Sequence, residues 1–322
     1  MSKLLSIVLP TFNRGYMIEY TLEILNEQIE RNSSEVELVV CNNASTDDTS
    51  DIVSRFVETH PCVKFVNYTD HVEIGVSITR SVDNATGKYA LLWGDDDIPS
   101  PFLVDILLYY IKANPDIGII HFNGMTGMDQ DDFKMKNVNV MNKSFDRMTI
   151  LYDLEKFAET HYSGMGLMSS DMFLLEAWKK GRKLDSSTHY GYEFVAPILI
   201  GAKGHKCLYI NFPLWIQRIP MYRAWQSRAT QFWYIGIPNL LKDLEKNNVI
   251  KDWRSTWNKA NTKRLLIHVI PQMLLDKKMY KSLLPIIKEN QNSWQKKLFV
   301  DFCYYFVPSS LYKFVRKRHF KK

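Results

Sequence analysis

The stretch Gly87-Lys-Tyr-Ala-Leu-Leu-Trp-Gly-Asp-Asp-Asp97 joins a short apolar run to three consecutive acids. The continuous apolar run at residues 89–93 is typical of a strand that is covered on both faces of a parallel sheet. In open parallel sheets, ligands bind beyond the carboxyl ends of the strands. This stretch therefore predicts a parallel α/β sheet with an acidic site at one edge.

Short apolar runs alternate with longer segments of helical spacing through the first 122 residues. The runs that predict buried strands are residues 4–9, 36–41, 63–68, 89–93 and 117–122. The segments that predict helices are residues 16–29, 49–59, 76–85 and 101–113. Because such alternation is typical of βαβ units, we predict an α/β fold with a mostly parallel sheet and helices on both faces.

Two later segments bear on the same domain. Residues 206–210 predict a further strand, which follows an apolar, helix-like run. Residues 163–170 are rich in methionine and broken by glycine, which indicates a buried strand or the wall of a pocket. The core position is favoured, because methionine fills irregular interior space. We expect residues 122–186 to complete the domain and to form walls for an acceptor.

Polar residues directly follow three of the predicted strands, where a parallel sheet binds its ligands. They are Pro10, Thr11, Phe12 and Asn13 after the first strand, Asn42 and Asn43 after the second, and Asp95, Asp96 and Asp97 after the fourth. The sequence contains neither GxGxxG nor GxxxxGK[ST], so it indicates neither a Rossmann dinucleotide site nor a P-loop.

Three consecutive acids at the end of a buried strand indicate a divalent cation. Their charges repel one another unless a cation lies among them. Oxygen ligands favour Mg²⁺ or Mn²⁺, and Mg²⁺ typically takes one or two carboxylates together with water and phosphate oxygens. A helix cap is the alternative, but a cap needs only one acid. We therefore predict a Mg²⁺ or Mn²⁺ site at Asp95, Asp96 and Asp97.

Three stretches resemble family 2 glycosyltransferases in sequence and order: LSIVLPTFNR at 5–14, VVCNNASTDD at 39–48 and GKYALLWGDDD at 87–97. The resemblance covers residues 3–215 and implies a GT-A fold, a nucleotide-sugar donor, a divalent cation and inverting transfer to an acceptor hydroxyl. It also implies that residues 10–13, Asn42 and Asn43 contact the base and ribose, and that Asp95 to Asp97 form a DxD-type site for metal and diphosphate.

Two regions of the sequence depart from the family pattern. The family usually carries an aspartate that faces the nucleobase after the second strand, where this chain has Asn42 and Asn43. Asparagine donates and accepts hydrogen bonds, so it can still read a uracil or thymine edge, and a UDP- or dTDP-type donor is favoured. The segment 73–87 is short, which leaves Arg80 as a candidate diphosphate contact or as a surface arginine of the third helix.

Inversion requires a carboxylate on the side of the sugar opposite the leaving diphosphate, and many family members place it in a Glu-Asp pair. The corresponding stretch is Tyr190-Gly-Tyr-Glu-Phe194, in which Glu193 occupies the aspartate position. An isolated acid in an apolar stretch suits a general base. A structural ion pair of Glu193 and a role for His189 are the alternatives.

The charge of the chain changes sign between its two parts. Residues 1–218 hold 20 Lys and Arg against 29 Asp and Glu, a net charge of −9, whereas residues 219–322 hold 21 against 6, a net charge of +15. Helical spacing at residues 225–245, 253–275 and 280–289 predicts helices in the basic part. We predict a glycosyltransferase domain at 1–218 and a basic helical extension at 219–322 that faces the acceptor and the membrane.

The last residues combine bulky apolar side chains at 298–307 with a cationic end at 309–322. This composition suits an anionic bilayer surface. A terminal helix packed on the core with a solvated basic tail is the alternative, and no nucleic-acid motif supports a nucleic-acid partner. Residues 4–9 are too short for a signal peptide, and the four cysteines show no CxxC spacing. We predict a cytoplasmic protein that associates peripherally with the cytoplasmic face of the membrane.

The predicted function is that of a metal-dependent, inverting hexosyltransferase. It would move a sugar from a nucleotide-sugar to a hydroxyl of a saccharide or lipid-linked saccharide in surface-polysaccharide synthesis. A non-catalytic nucleotide-sugar-binding subunit of a glycan-assembly complex is the alternative. A sugar-1-phosphate nucleotidyltransferase would share the layered α/β architecture, but its glycine-rich basic signature is missing from the N-terminal region.

Overall fold

The computed structural model describes residues 3–129, 135–143, 147–219, 231–264, 269–275, 277–291 and 293–310. The chain divides into two compact units. The first, which we call the sheet unit, comprises residues 1–187 and 191–226. The second, the helical unit, comprises residues 188–190 and 227–322.

The described part of the sheet unit contains two β-sheets. The larger contains β1 (Leu5–Thr11), β2 (Val36–Asn43), β3 (Val63–Tyr68), β4 (Tyr89–Leu92), β6 (Ile117–Phe122), β9 (Thr149–Tyr152), β10 (Asp171–Leu174) and β11 (Lys206–Ile210). The smaller contains β5 (Asp97–Pro99), β7 (Met125–Asp129), β8 (Met135–Val140) and β12 (Trp215–Ile219). Their strand orders are β3-β2-β1-β4-β10-β6-β11-β9 and β5-β12-β7-β8.

Most neighbouring strands of the larger sheet run parallel, as predicted. The exceptions are β10, which is antiparallel to β4 and β6, and β9, which is antiparallel to β11. Strands β3, β6 and β11 begin and end at the predicted residues. The strands β1 and β2 run two residues further than predicted, through Thr11 and Asn43, because backbone pairing continues through these polar residues.

Helices connect these strands: α1 (Ile18–Arg31), α2 (Thr49–Thr59), α3 (Ile74–Val82), α4 (Leu103–Ala113), α5 (Leu154–His161), α6 (Leu175–Gly181) and α7 (Val195–Gly201). In α1, Ile18, Leu22, Leu25 and Ile29 recur every three or four residues and are fully buried, which gives the helix one apolar face. Each such side chain contributes about 1.5–3 kcal/mol of burial free energy. The alternation of strands and helices confirms the α/β prediction.

The glycine-broken segment at 163–170 is not a strand, so that part of the prediction is wrong. Local turns satisfy its backbone: Leu167 N donates to Gly164 O, and Ser170 N donates to Leu167 O. A short 3₁₀ helix, Met168–Ser170, leads into β10. Met165 is fully buried, which agrees with the predicted core position.

The described part of the helical unit contains a π-helical segment, Phe232–Gly236, followed by α8 (Ile237–Lys246), α9 (Trp253–Arg264), α10 (Ile270–Leu275), α11 (Lys277–Tyr280), α12 (Leu284–Glu289) and α13 (Trp294–Phe306). Residues 225–230 and 265–268 of the predicted helices lie outside the described residues. The predicted helix at 280–289 is divided, because Pro285 stands at the start of α12, where its missing N–H is tolerated.

Buried aromatic residues form the interior of the helical unit. Tyr234 packs edge-on against Trp257 with ring centroids 5.7 Å apart, and both side chains are 1% exposed. Asn290 Nδ2 donates to Tyr234 O, and Trp257 Nε1 donates to Asn290 O. In the stretches that the structure describes, no helix is both long and apolar enough to cross a bilayer.

Candidate active site

The acidic triplet lies where the chain passes from the larger sheet to the smaller one. Asp95 and Asp96 follow the carboxyl end of β4, and Asp97 is the first residue of β5, where it pairs with Gln217 of β12. The parallel neighbour β1 ends at the same edge, at Thr11. The triplet therefore lies at the edge where α/β sheets bind ligands.

Asp97 is buried, and its two carboxylate oxygens differ in their hydrogen bonds to the described residues. Its Oδ2 accepts a 2.6 Å hydrogen bond from Ser169 Oγ, which accepts a 2.8 Å bond from Gly94 N. Its Oδ1 is buried and receives no hydrogen bond from the part of the chain that the structure describes. Burial, followed by the neighbouring charge of Asp96, raises the pKa of Asp97 well above its usual range.

Gly94 leaves open a space between the carboxylates of Asp96 and Asp97. A β-carbon at residue 94 would lie 2.9 Å from Asp97 Oδ2 and 3.3 Å from Asp96 Oδ1. Burial and then the charge of Asp95 raise the pKa of Asp96 to about 6. We call the space between these two carboxylates the Gly94 cradle. Its negative charge is in excess, so it favours a cation.

Asp95 differs from its two neighbours because it has a cationic partner, Arg14, which the sequence analysis missed as a site residue. Arg14 Nε donates to Asp95 Oδ1 at 3.0 Å, and the attraction of Asp95 raises the pKa of Arg14. The main-chain oxygen of Asp95 accepts a hydrogen bond from Thr21 Oγ1 at 2.9 Å. Arg14 therefore supplies an internal counter-ion for Asp95, whereas the predicted cation would be the counter-ion of Asp96 and Asp97.

Arg218 is a second cation that the sequence analysis missed. It lies on β12, is 2% exposed, and its Nε donates to the main-chain oxygen of Asp96 at 2.8 Å. Its guanidinium carbon lies 5.5 Å from the ring centroid of Tyr20. The sequence offered one indication of this role: Arg218 stands beside apolar residues in a strand-like stretch. A guanidinium that is buried in such a stretch requires polar partners.

The predicted donor loop at residues 10–13 is held in place by the loop that follows β2. Asn13 has a positive φ of 54°, and its Oδ1 accepts a 2.8 Å hydrogen bond from Thr46 N. Its own N–H donates to Ser45 Oγ at 2.9 Å. Pro10 and Thr11 are buried within β1, and Phe12 is partly exposed beside His71 with ring centroids 4.3 Å apart. The loop is thus preorganised, with Phe12 at its surface.

Asn42 and Asn43 are buried, and their side chains bond to other parts of the protein. Asn42 Nδ2 donates to Asn67 Oδ1 at 2.8 Å, and its Oδ1 accepts from the Ser45 hydroxyl. Asn43 Oδ1 accepts from Val72 N at 3.1 Å, and its Nδ2 donates to Val72 O at 2.9 Å. Both amides therefore fix the neighbouring loops, and their predicted contacts with a nucleobase stay a prediction.

Arg80 is bound within its own unit. Its Nη1 donates to Asp70 Oδ2 at 3.0 Å, its Nη2 donates to Asn43 Oδ1, and its guanidinium carbon lies 3.7 Å from the ring centroid of Tyr68. The side chain is 15% exposed, so Arg80 is not a solvated surface arginine. These contacts hold the loop between β3 and α3, and the predicted diphosphate contact stays a prediction.

Glu193 lies in the turn before α7, with its carboxylate against the start of α3. Its Oε2 accepts a 2.7 Å hydrogen bond from Gly191 N, a residue with a positive φ of 86°. A β-carbon at Gly75 would lie 2.4 Å from Glu193 Cδ, so a larger residue at position 75 would displace this carboxylate. The negative carboxylate is favoured at the N-terminal turn of a helix. No ion pair of Glu193 is found within the described residues.

His189, the alternative base, belongs to the helical unit. It is fully buried, and its Nε2 lies 2.8 Å from Asp243 Oδ2 of α8. Because this imidazole already has a carboxylate partner and no exposed surface, its geometry suits a structural pair rather than a base that meets a substrate.

The described residues include no group of three or more His, Cys, Asp or Glu side chains that could hold a metal ion. The Gly94 cradle nevertheless brings Asp96 Oδ1 and Asp97 Oδ2 close to one point, and Asp97 Oδ1 is a further buried carboxylate oxygen without a partner among the described residues. Mg²⁺ sites often complete their ligand shell with water and substrate phosphates. Asp96 and Asp97 therefore fit a divalent cation that is shared with a phosphate-bearing ligand.

The profile described as Glycosyl transferase family 2 matches residues 6–172, which is more than half of the chain. The chain belongs to this family. Abequosyltransferase RfbV of Salmonella typhimurium is 28% identical over 116 residues, which cover 35% of this chain and 34% of that protein. GalNAc(5)-diNAcBac-PP-undecaprenol beta-1,3-glucosyltransferase of Campylobacter jejuni is 27% identical over 94 residues, 29% of each chain. The chain thus spans about a third of the length of these curated relatives.

Solved structures of glycosyltransferases share the fold of this family 2 chain. Residues 1–349 of S. aureus TarS, in complex with UDP-GlcNAc, align with a TM-score of 0.66 at 12% identity, and the alignment covers 89% of this chain and 79% of that one. Mannosyltransferase PcManGT from Pyrobaculum calidifontis, in complex with GDP-Man and Mn²⁺, aligns with a TM-score of 0.55 at 14% identity and covers 97% and 87%. These likenesses confirm the predicted GT-A fold.

Proposed function

We propose that this family 2 protein is an inverting glycosyltransferase, which moves a sugar from a nucleotide-sugar to an acceptor hydroxyl. One observation carries the proposal: Asp96 Oδ1 and Asp97 Oδ2 both lie within 3.3 Å of the β-carbon position of Gly94 beyond the carboxyl end of β4, and Asp97 Oδ1 lacks a partner among the described residues. A cation-bound diphosphate matches this excess of buried negative charge. The Mn²⁺ and GDP-Man named for the Pyrobaculum calidifontis structure support the same chemistry.

Asp96 and Asp97 would hold the Mg²⁺ or Mn²⁺ ion, and Asp95, whose charge is balanced by Arg14, would be the third candidate carboxylate. When bound, the metal would stabilise the negative charge that develops on the leaving diphosphate. Arg218, whose Nε donates to the main-chain oxygen of Asp96, would help to orient the triplet and would add positive charge near the diphosphate. Arg80 remains our candidate for a further diphosphate contact, through a change of its present partners.

The loops that follow β1 and β2 would hold the nucleoside. Phe12 is the exposed member of residues 10–13 and offers an aromatic face for the base, whereas the side chains of Asn42 and Asn43 are engaged elsewhere. Their contribution to base and ribose binding would therefore come through the loop shape that they maintain. We favour UDP- or dTDP-type donors.

Glu193 is the proposed general base. Its carboxylate accepts one main-chain hydrogen bond and is half-buried, which keeps it oriented while leaving part of it accessible. It would remove the proton from the acceptor hydroxyl during in-line attack on the anomeric carbon, so that the configuration inverts in one displacement. The proton moves to the carboxylate, and the bond to the diphosphate oxygen breaks as the new glycosidic bond forms.

Donor binding tests the proposal. Titration calorimetry of the full chain with UDP-, dTDP- and GDP-sugars, with and without Mn²⁺, is expected to show metal-dependent binding of one nucleotide class. Asp97→Asn should weaken that binding at least about tenfold, because the cradle loses charge. Asp51→Asn, at an exposed position of α2, is the matched control.

Three results would change the assignment. Absence of metal-dependent binding to every donor would refute it. Donor binding without hydrolysis or transfer would favour the non-catalytic subunit. Retention of configuration in the product, read by NMR of the anomeric proton, would reject Glu193 as a base for single displacement.

We also propose that the protein works at the cytoplasmic face of the membrane, on a saccharide linked to a lipid in surface-polysaccharide synthesis. Six bulky side chains of α13 are between 41% and 73% exposed: Trp294, Leu298, Phe299, Phe302, Tyr305 and Phe306. Four of them recur at intervals of four residues and form a stripe along the helix, which we call the aromatic stripe. Val300 and Cys303 are buried on its other side.

The sequence beside the aromatic stripe indicates an anionic lipid surface as its partner. Residues 309–322 contain six lysines and arginines and no acid, and of these residues only 309–310 are described. Each cation near an anionic membrane contributes about 1 kcal/mol. A second copy of the chain would bring two such segments together and would be disfavoured by repulsion. The acceptor named for the Campylobacter jejuni relative, which is linked to PP-undecaprenol, supports a lipid-linked substrate.

Vesicle binding tests the membrane proposal. We expect the full chain to sediment with vesicles that contain phosphatidylglycerol but not with pure phosphatidylcholine. The double variant Phe302→Ser and Phe306→Ser should lose most of this binding, whereas Tyr109→Ser, at an exposed tyrosine of α4, should not. Binding that survives both the double variant and deletion of residues 309–322 would contradict the proposal. A dimer abolished by the same variants would identify a second copy as the partner instead.

A further inference from the structure

A cavity of about 370 Å³ lies at the β9 edge of the larger sheet. Its described walls come from β9, β11, α5 and the segments before β9 and after β11. All of these elements belong to the sheet unit. The volume is within the range of small-molecule binding sites. Neither the proposed donor site nor the proposed base uses any residue of this cavity.

Aromatic rings and neutral polar groups line the cavity together. Tyr152 and Tyr209 supply phenol groups, and their ring centroids lie 5.4 Å and 4.4 Å from that of His161. Asn142 Nδ2 donates to Tyr209 Oη at 3.0 Å, and Asn211 Nδ2 donates to Arg147 O at 3.1 Å. Amide, phenol and imidazole groups beside aromatic rings suit a ligand that has both hydroxyl groups and apolar C–H faces.

The charge of the walls also limits the ligand class. Arg147 is the exposed cation among the described lining residues, and none of those residues is an acid. His161 Nε2 is buried without a hydrogen-bond partner among the described residues. Burial, followed by the charge of His121, lowers the pKa of His161 to about 3, so the ring is neutral near pH 7. The walls therefore suit a neutral or weakly acidic polyhydroxyl ligand.

The cavity lies on the same sheet as β4, the strand that leads into the acidic triplet. Tyr209 is in register with His121 on the adjacent strand, and their rings stack with centroids 5.6 Å apart. His121 Nδ1 lies 2.8 Å from Asp171 Oδ1. Two residues before Asp171 in the chain is Ser169, whose hydroxyl donates to the carboxylate of Asp97. Strand β11 is three strand spacings from β4, which is about 14 Å. An acceptor of a few sugar units could therefore extend from the acidic triplet to the cavity.

We infer that this cavity is a second saccharide-binding site, which holds one sugar unit of a glycan acceptor remote from the reacting hydroxyl. The inference rests on the proposed glycosyltransferase function and adds a site to it. The aromatic walls would contact the C–H face of the sugar ring, while Arg147, the amides and His161 would bond to its hydroxyl or carboxylate oxygens. No covalent step takes place there.

Saturation-transfer NMR on the full chain tests the second site. The probes are glucose, galactose, N-acetylglucosamine, rhamnose, glucuronic acid, cellobiose and lactose, each added without donor. We expect at least one to receive saturation from the protein and to keep it when UDP and Mn²⁺ are present in excess. Tyr152→Ala should weaken its affinity about fivefold, and Arg147→Ala should act in the same direction.

Tyr109→Ala, at an exposed tyrosine of α4, is the matched control and should leave the saccharide signal unchanged. Thermal unfolding of each variant checks that it is folded. Arg147→Ala changes an exposed side chain, so this variant still tests the inference if Tyr152→Ala does not fold. The inference is overturned by no saturation of any probe, by its loss on addition of UDP, or by equal signals in Arg147→Ala and wild type. Calorimetry with donor on the same samples shows separately whether the proposed function stands.

Discussion

The acidic edge of the sheet unit and helix α13 of the helical unit depart from ordinary burial in opposite directions. At the edge, ionisable groups are enclosed: Asp97 is 7% exposed and Asp95 is 8% exposed. On α13, Trp294 is 66% exposed and Phe306 is 73% exposed. The buried carboxylates cost folding free energy because they lose water, whereas the exposed aromatic rings remain in water and contribute no burial free energy.

This contrast indicates that the two regions bind different kinds of partner. Departures from the burial rules in a folded protein mark functional sites when a ligand offsets their cost. A cation with a diphosphate would offset the charge of the Gly94 cradle, whereas lipid would cover the aromatic stripe. Substitutions should therefore separate the regions: at the edge they change activity, and on the stripe they change membrane affinity.

The largest expected effect is on catalysis by Glu193→Gln. We expect transfer to fall by about a thousandfold, which corresponds to about 4 kcal/mol of transition-state stabilisation. The glutamine still accepts the hydrogen bond from Gly191 N, so donor binding should remain. Radiolabelled transfer and donor calorimetry check the two halves of this prediction.

Glu176→Gln, which changes an exposed glutamate of α6, is the control for Glu193→Gln and should retain full activity. Partial activity in Glu193→Asp would support a base, because the carboxylate is kept at a changed distance. Wild-type rates in a folded Glu193→Gln protein would remove this residue from the mechanism.

The next effect concerns acid stability and His161. The low pKa of His161, about 3, means that the unfolded chain binds a proton near pH 6.5 while the folded chain does not. Stability is therefore unaffected above that pH and falls as the pH drops from 6.5 towards 3. The expected loss between pH 6.5 and 4.5 is about 2 kcal/mol.

Urea unfolding of wild type and His161→Gln at several pH values measures this contribution. The variant should show a shallower loss of stability below pH 6.5, because its side chain does not titrate. His121, which lies beside His161 with ring centroids 5.1 Å apart, is unchanged in both proteins. Identical slopes in the two proteins would contradict the assignment.

Much of the fold followed from the sequence because helix and strand periodicity are local properties. The bounds of β3, α2, β6 and β11 were predicted without error, and the acidic triplet was placed at the correct sheet edge. The family and its GT-A fold were likewise recognised from three short motifs. In these stretches, the local pattern and the tertiary environment favour the same structure.

The pairing of polar groups could not be predicted, because it depends on residues distant in sequence. Arg14 and Asp95 are 81 positions apart, and Arg218 lies 122 positions from Asp96. The side-chain amides of Asn42 and Asn43 donate hydrogen bonds to Asn67 and Val72, which are 25 and 29 positions away in sequence. Sequence patterns indicated which residue types gather at the edge, whereas their hydrogen bonds required the three-dimensional arrangement.

A smaller effect should follow Gly94→Ala. The added methyl group would lie 2.9 Å from Asp97 Oδ2, so the carboxylates must separate. We expect metal-dependent donor affinity to fall about tenfold with little change in fold, because the ideal cradle geometry is lost. Titration with Mn²⁺ and donor measures this, and Gly204→Ala is unsuitable as a control because Gly204 has a positive φ of 86°.

Ala85→Gly, which alters the size of a buried side chain away from the triplet, is a better control for Gly94→Ala. It should reduce stability without lowering the affinity for donor at temperatures where the protein is folded. If Gly94→Ala binds metal and donor as tightly as wild type, the cradle is not the metal site.

The smallest expected effect separates the two faces of α13. Phe302 is 56% exposed, and Val300 is fully buried two residues away. Phe302→Ser should change the free energy of unfolding by no more than about 0.5 kcal/mol in the absence of lipid, because its ring is already in water. Val300→Ser should cost about 2 kcal/mol or more, since it removes buried apolar area and buries a hydroxyl. Urea unfolding of both variants measures the difference. A large loss in Phe302→Ser without lipid would mean that the ring already packs against the protein in solution, and the aromatic stripe would then be part of the core rather than a surface awaiting a membrane.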